Sequence, residues 1–259
     1  MQSIFRVYPA IDIIDGQCVR LLQGNFSAVT KYGDPVEVAK EFLHQKMSWI
    51  HVVDLDAART GVQTNRSVVN KIAALCRQLN TKLQVGGGIR SIDVAVDMLS
   101  SGVDRIVIGT AAISNPSFIE ELSRQFPGRV AIGLDYRRSL HDYDSNISEE
   151  LYVAIHGWES TSKVLVETVL EMFESSDIFG YIATDISRDG NLVGCDIPGL
   201  FTIASSTKKS VIASGGISSI EDIRDLQRQS NATKNLVGVI VGKALHDRKL
   251  KFEELSEYL

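Results

Sequence analysis

The sequence predicts an α/β fold, a (βα)8 barrel (TIM barrel) built from two similar halves. Three observations lead there. Eight short Val/Ile/Leu-rich runs alternate with amphipathic stretches across 259 residues. The apolar runs are nearly continuous, the pattern of parallel strands covered on both faces. Residues 82–111, KLQVGGGIRSIDVAVDMLSSGVDRIVIGTA, also recur in kind at 209–244, KSVIASGGISSIEDIRDLQRQSNATKNLVGVIVGKA, with Ile89 and Ile217 128 residues apart. Each copy is a strand, a Gly-Gly-Ile turn, a Ser-Ile helix start, a helix, a second strand and a Gly-[Thr/Lys]-Ala turn. A repeat near half the chain suits a ring of four plus four units better than the rival, an open doubly wound sheet. With no linker and no break in composition, residues 1–259 are expected to form one domain.

Strands are expected at 6–12, 49–54, 82–86, 104–108, 129–134, 180–185, 210–214 and 237–241. After the first, Asp34-Pro35 supplies an N-cap and a proline at the first helical position, ahead of VEVAKEFLHQ. Asn65 opens RSVVNKIAALCRQL, whose apolar residues at 68, 69, 72, 75, 76 and 79 make a core-facing stripe. Ser91 is the next N-cap. Asn115-Pro116 then repeats the earlier device before SFIEELSRQF. Ser219 caps the helix of the second repeat, with Glu221 a weak capping signal behind it. The polar stretch 136–160, YRRSLHDYDSNISEELYVAIHGWES, follows the fifth strand. A barrel sets it over the face where the strands end, as a mobile lid, the alternative being a small β-excursion without function.

Composition narrows the function. The net charge of −5, with acids and bases interspersed, argues against nucleic acid as a partner. No long apolar run spans a membrane, and the N-terminus is too short and too soon acidic for a signal peptide. Cys18, Cys76 and Cys195 are scattered, which reads as reduced thiols in a cytoplasmic protein. The five histidines form no metal-ligand spacing, so no metal is expected. His51, inside a strand, reads as a packed core residue. Nothing in the pattern calls for assembly, and a monomer is expected.

The chemistry-bearing residues gather at strand ends. Asp12, Asp54 and Asp135 each end a strand, and Asp185 and Asp189 lie in ATDISRDG. In a barrel all five reach the C-terminal rim, where active sites are built. Asp12 and Asp135 are 123 residues apart, on strands one and five, hence on opposite sides of the ring. Two facing carboxylates in different surroundings suit acid/base work; a single strand-end Asp is as readily a helix cap. Gly86, Gly87 and Gly88 with Gly109-Thr110 make one glycine cluster, and Gly215 and Gly216 with Gly242-Lys243 the other. Backbone N–H groups at such turns can receive an anion. Trp158, in the lid, reads either as a ring that stacks on a heterocycle or as a residue buried under the loop.

These residues resemble a known family, the phosphoribosylformimino-aminoimidazole carboxamide ribotide (ProFAR) isomerases of histidine biosynthesis. The matches run in order: YPAIDIIDGQCVRLLQG (8–24), VDLDAARTG (53–61), GGGIRS (86–91), IGTAAISNP (108–116), GLD (133–135), HGWE (156–159), TDISRDGNLVG (184–194), ASGGISS (213–219) and VGKAL (241–245). The resemblance implies an Amadori rearrangement of an aminoaldose to an aminoketose, PRFAR, with no cofactor, on a small-molecule substrate with two phosphates. It makes Asp12 the base, Asp135 or Asp189 the acid, and Thr184 a helper on the acid side. Arg20 and Arg90 would grip a phosphate or the carboxamide, and the glycine clusters the two phosphates. The same matches bring Gly24, Asp54 and Gly190 into the substrate-binding set. His156 stands where a dual-specificity group, also active on phosphoribosyl anthranilate, commonly has Arg. VDLDAA resembles that group, so dual activity is kept as the alternative. A sister cyclase carries Lys where this chain has Ile14 and Arg20, which sets it aside.

Overall fold

The computed structural model describes residues 5–22, 24–143, 146–155 and 160–258. Twelve strands run through them: β1 (Arg6–Ile14), β2 (Gln17–Leu22), β3 (Asn25–Gly33), β4 (Trp49–Asp54), β5 (Lys82–Gly86), β6 (Arg105–Ile108), β7 (Val130–Tyr143), β8 (Asn146–Ile155), β9 (Ser160–Leu165), β10 (Gly180–Asp185), β11 (Ser210–Ser214) and β12 (Leu236–Val241). Eight of these, β1, β4, β5, β6, β7, β10, β11 and β12, pair in parallel, and the β10–β7 pairing closes the ring. The expected (βα)8 barrel is therefore present, with β1 and β7 four strands apart in either direction.

Four strands lie outside the expected eight. β2 and β3 fold back on β1 as an antiparallel hairpin, and β8 and β9 do the same on β7. These excursions follow the first strand of each half, so the half-barrel likeness extends to them. The segment expected as an irregular lid is largely a regular ribbon, paired from Tyr136↔Val153 to Tyr143↔Asn146. Its Tyr, Val and Ile residues, gathered most densely at 151–155, carry the strand signal. Residues 156–159, including Trp158, lie outside the described residues.

Helix starts follow the capping chemistry in part. Asp34 accepts from the Val36 N–H at 2.7 Å and Ser91 from that of Val94. Ser219 forms a full capping box, but its partner is Asp222 rather than Glu221. Asn65 and Asn115 do not cap. Asn65 is buried and used elsewhere, accepting from the Gly16 N–H at 2.9 Å and donating to Asp54 and Asp56. Asn115 instead accepts from the Ser117 hydroxyl.

Two apolar layers result. Tyr8, Ala10, Trp49, Ala131, Ile182, Ile212, Val237 and Ile240 fill the barrel. The larger layer lies between the strands and the helices.

Candidate active site

Strand register decides which carboxylates face the barrel axis. Tyr8 and Ala10 of β1, Ala131 of β7 and Ile182 of β10 belong to the inner cluster. Side chains alternate with period two, so Asp12, Asp135 and Thr184 continue those inward rows. Asp135 is half-buried and aligned with Thr184.

Asp54 and Asp185 have the opposite parity. They align with Ile13 and Tyr136, both in the outer layer. Asp54 is fully buried, and its Oδ1 accepts from the Ala57 N–H at 2.9 Å and from Asn65 Nδ2 at 2.8 Å. Asp185 accepts from the N–H and hydroxyl of Ser187 and pairs with Arg188. Asp54, expected in the substrate-binding set, is turned outward by one residue of register and caps the helix Leu55–Thr60.

The inward carboxylate of β1 has a cationic partner. The β1–β2 hairpin, which pairs Asp12 with Val19, returns Arg20 over the barrel mouth. Arg20 Nη1 donates to Asp12 Oδ2 at 2.7 Å, and Nη2 donates to Asp189 Oδ1. Asp189 comes from the turn after β10. Asp12 is 7% exposed and Asp189 6%, so one guanidinium serves two desolvated carboxylates. Burial opposes the charge of Arg20, yet Asp189 and Asp12 outweigh it and hold its pKa above the ordinary arginine value. Burial pushes Asp189 up, Arg20 pulls it down, and the charge of Asp12 adds to the rise. The net direction for Asp189 is upward, toward keeping its proton.

Beside this pair opens a small cleft lined by Arg20, Asp189, Gly190, Gly215, Gly216, Gly242 and Lys243 together with Leu192, Ser214, Ile217 and Ile240. Sequence reasoning had picked the first seven and missed the last four. Ser214 was legible in principle, since it holds in the second repeat the place of Gly86 in the first. Leu192 carried no signal. Lys243 Nζ donates to the Gly190 carbonyl at 3.0 Å, which fixes the Asp189 turn against the second glycine cluster.

The first cluster lies outside that cleft, and the glycines have a reason the sequence did not disclose. At Gly87 (φ +109°) a Cβ would stand 2.2 Å from the Asp54 carbonyl oxygen; at Gly215 (φ +93°) it would stand 2.9 Å from that of Asp185. The two halves repeat one close crossing of backbones. Gly88 and Gly216 approach the Ala57 and Gly194 carbonyls in the same manner. Gly109 has open space where a Cβ would be, beside exposed Thr110. Arg90 donates to the Ala58 carbonyl at 2.9 Å. Gly24 sits in the β2–β3 turn.

The family model described as "Histidine biosynthesis protein" matches residues 6–251. A protein of Bacillus licheniformis is 41% identical over 256 residues, covering 98% of each chain. One of Prochlorococcus marinus is 40% identical over 252 residues, 97% of this chain and 92% of its own. One of Bacillus subtilis is 38% identical over 256 residues, again 98% of each. All three are named 1-(5-phosphoribosyl)-5-((5-phosphoribosylamino)methylideneamino) imidazole-4-carboxamide isomerase. With a family match over residues 6–251 and relatives about 40% identical over nearly its whole length, this chain, a parallel barrel closed by β7 and β10, belongs to the histidine biosynthesis protein family.

Proposed function

We propose that the Asp12–Arg20–Asp189 centre carries out the Amadori rearrangement of ProFAR to PRFAR, the reaction for which the relatives are named. The carrying observation is the pair of buried carboxylates bridged by Arg20, one of them displaced upward. In this reading Asp189 is the acid. Its proton goes to the ring oxygen of the aminoaldose, the C1′–O bond breaks, and an iminium forms. Asp12 then takes the proton from C2′. That electron pair forms the C1′–C2′ double bond and neutralises the iminium nitrogen. The enaminol loses its hydroxyl proton as C1′ gains one, leaving the ketone. Atoms and charge balance with no oxidant or cofactor. An acid with a raised pKa beside a base is the arrangement such a step needs at neutral pH.

Arg20 stays charged and holds both groups at the mouth. Gly215, Gly216, Gly242 and Lys243 receive one phosphate; Gly87, Gly88, Arg90, Gly109 and Thr110 receive the other. What supports the pairing is the half-barrel repeat, which sets the two clusters on opposite sides of the ring. Asp135 and Thr184, on the wall facing Asp12, line the sugar, and the β7–β8–β9 ribbon covers the imidazole. The direct test is incubation of the purified chain with ProFAR. Formation of PRFAR without added cofactor is the expected result, and no conversion sinks the reading. A parallel incubation with phosphoribosyl anthranilate is expected to give no product.

A further inference from the structure

Beneath the mouth, the barrel holds a polar layer that the reaction above does not use. His51 of β4, Gln84 of β5 and Arg105 of β6 stand in register on three adjacent strands. All three are buried, His51 and Arg105 at 6% exposure and Gln84 at none. Arg105 Nη1 lies 3.0 Å from Gln84 Oε1, and Gln84 Nε2 lies 2.8 Å from His51 Nδ1. The guanidinium is held between two rings, 4.3 Å from the Trp49 centroid and 3.4 Å from that of Phe179. A charged group in a barrel core carries a large desolvation cost, and apolar residues of similar volume would fill the layer without it.

The direction of the chain follows from what each group can do. A guanidinium only donates, so the Gln84 atom facing it is the carbonyl oxygen. The Gln84 amide nitrogen therefore faces His51 and donates to Nδ1. Nδ1 must then be an unprotonated acceptor, and a neutral ring carries its proton on Nε2. An imidazolium would set N–H against N–H. Burial pushes His51 down to about 4 in the same sense, with the charge of Asp12 opposing and those of Arg20 and Arg105 adding. His51 pairs with Ala10, so it lies one layer below Asp12 on the neighbouring strand, with the same inward parity. Among the described residues, no acceptor is bonded to its Nε2–H.

We propose that Arg105 and Gln84 are positioning residues that hold His51 as its neutral Nε2–H form, and that this N–H donates to the C2′ oxygen of the open-chain sugar while Asp12 takes the C2′ proton. That oxygen changes from hydroxyl to ketone, and negative charge develops on it when its proton leaves. A preorganised neutral donor stabilises that charge without giving up its own proton. The substrate assignment rests on the isomerase reading; the tautomer does not.

Two measurements test it. The ligand-free wild-type chain, labelled with 15N-histidine, is examined by long-range 1H–15N correlation, with His51→Asn to assign the signal. The expected result is a ring protonated at Nε2 alone that stays so at pH values where exposed histidines have titrated. An Nδ1-protonated ring, or an imidazolium at neutral pH, overturns the proposal. The second measurement is kinetic. In Gln84→Glu the carboxylate accepts from both Arg105 and an Nδ1–H, so the tautomer reverses. The expectation is a kcat lower by roughly 10²-fold with KM little changed. His51→Gln, whose amide nitrogen takes the place of Nε2, recovers part of the activity lost in His51→Ala. A reversed tautomer in Gln84→Glu with kcat unchanged overturns the donor role. If the wild-type chain does not turn over ProFAR, the isomerase reading falls, and the spectrum still decides the tautomer.

Discussion

Asp12 and Asp189, which reach the barrel mouth from strand β1 and from the turn after β10, accept hydrogen bonds from the two terminal nitrogens of one guanidinium, that of Arg20. This single relationship joins two carboxylates from distant parts of the chain at one cation. Burial raises the pKa of Asp189, and the positive charge of Arg20 does not fully offset that rise.

The kinetic consequence is an acid whose loss is visible in a pH profile. A general acid must be protonated, so activity falls as pH rises through the Asp189 pKa. Asp189→Asn is expected to lower kcat by roughly 10²–10⁴-fold and to remove that alkaline fall. Asp135→Asn is expected to keep it. Steady-state rates of the three proteins across the pH range decide between the two carboxylates; persistence of the fall in Asp189→Asn shows that another group is the acid.

Arg20 itself is a stability element. Arg20→Met leaves two buried carboxylates facing each other, which is expected to cost about 3–5 kcal/mol at neutral pH. With the cation gone Asp189 loses the charge that pulls its pKa down and binds its proton more readily, so the deficit shrinks as pH falls. Urea unfolding of wild type and variant at neutral and mildly acid pH measures this. A deficit equal at both pH values, or growing toward acid, refutes it.

The glycine crossings predict a graded pair. Gly87→Ala pushes a Cβ to 2.2 Å from a carbonyl oxygen, while Gly215→Ala reaches 2.9 Å. Both also impose a left-handed backbone on alanine. Each is expected to destabilise by about 1 kcal/mol or more, with Gly87→Ala the worse. Thermal melts of the two variants rank them, and an order in which Gly215→Ala is worse counts against the shared crossing.

His51 predicts an acid sensitivity with a definite sign. Its pKa is about 4 in the folded chain and about 6.5 when free. Above the free value both states are neutral and no penalty exists. As pH falls, the unfolded chain takes up the proton first, and stability drops until the folded value is passed. The full loss is about 3 kcal/mol. His51→Asn is expected to flatten this part of the stability curve; an unchanged slope shows that the ring is not held neutral.

Much of the molecule was legible in the chain. Parallel barrel strands are covered on both faces, and that leaves continuous apolar runs such as LVGVIV that name themselves. The repeat around Ile89 and Ile217 gave the two-fold plan. Asp12, Arg20, Asp189 and Lys243 sat in motifs whose order alone set them near the rim. The β2–β3 hairpin and the ribbon beyond Tyr136 were harder to see, because strands such as Asn25–Gly33 are largely solvent-facing and polar, so no continuous apolar run marks them.

Sequence by itself determined the ring of eight strands, the half-chain symmetry and the set of rim residues, because all three depend on local pattern and on chain order. Tertiary structure alone decided which rim residues work together. A carboxylate at a strand end faces the axis or the helices according to one residue of register, which sets Asp12 inward and Asp54 outward. The pairing of Asp12 with Asp189 through Arg20 joins three separate segments, and no local pattern encodes a contact between them. The same holds for Arg105, Gln84 and His51, whose hydrogen bonds exist because adjacent strands happen to align them in one buried layer.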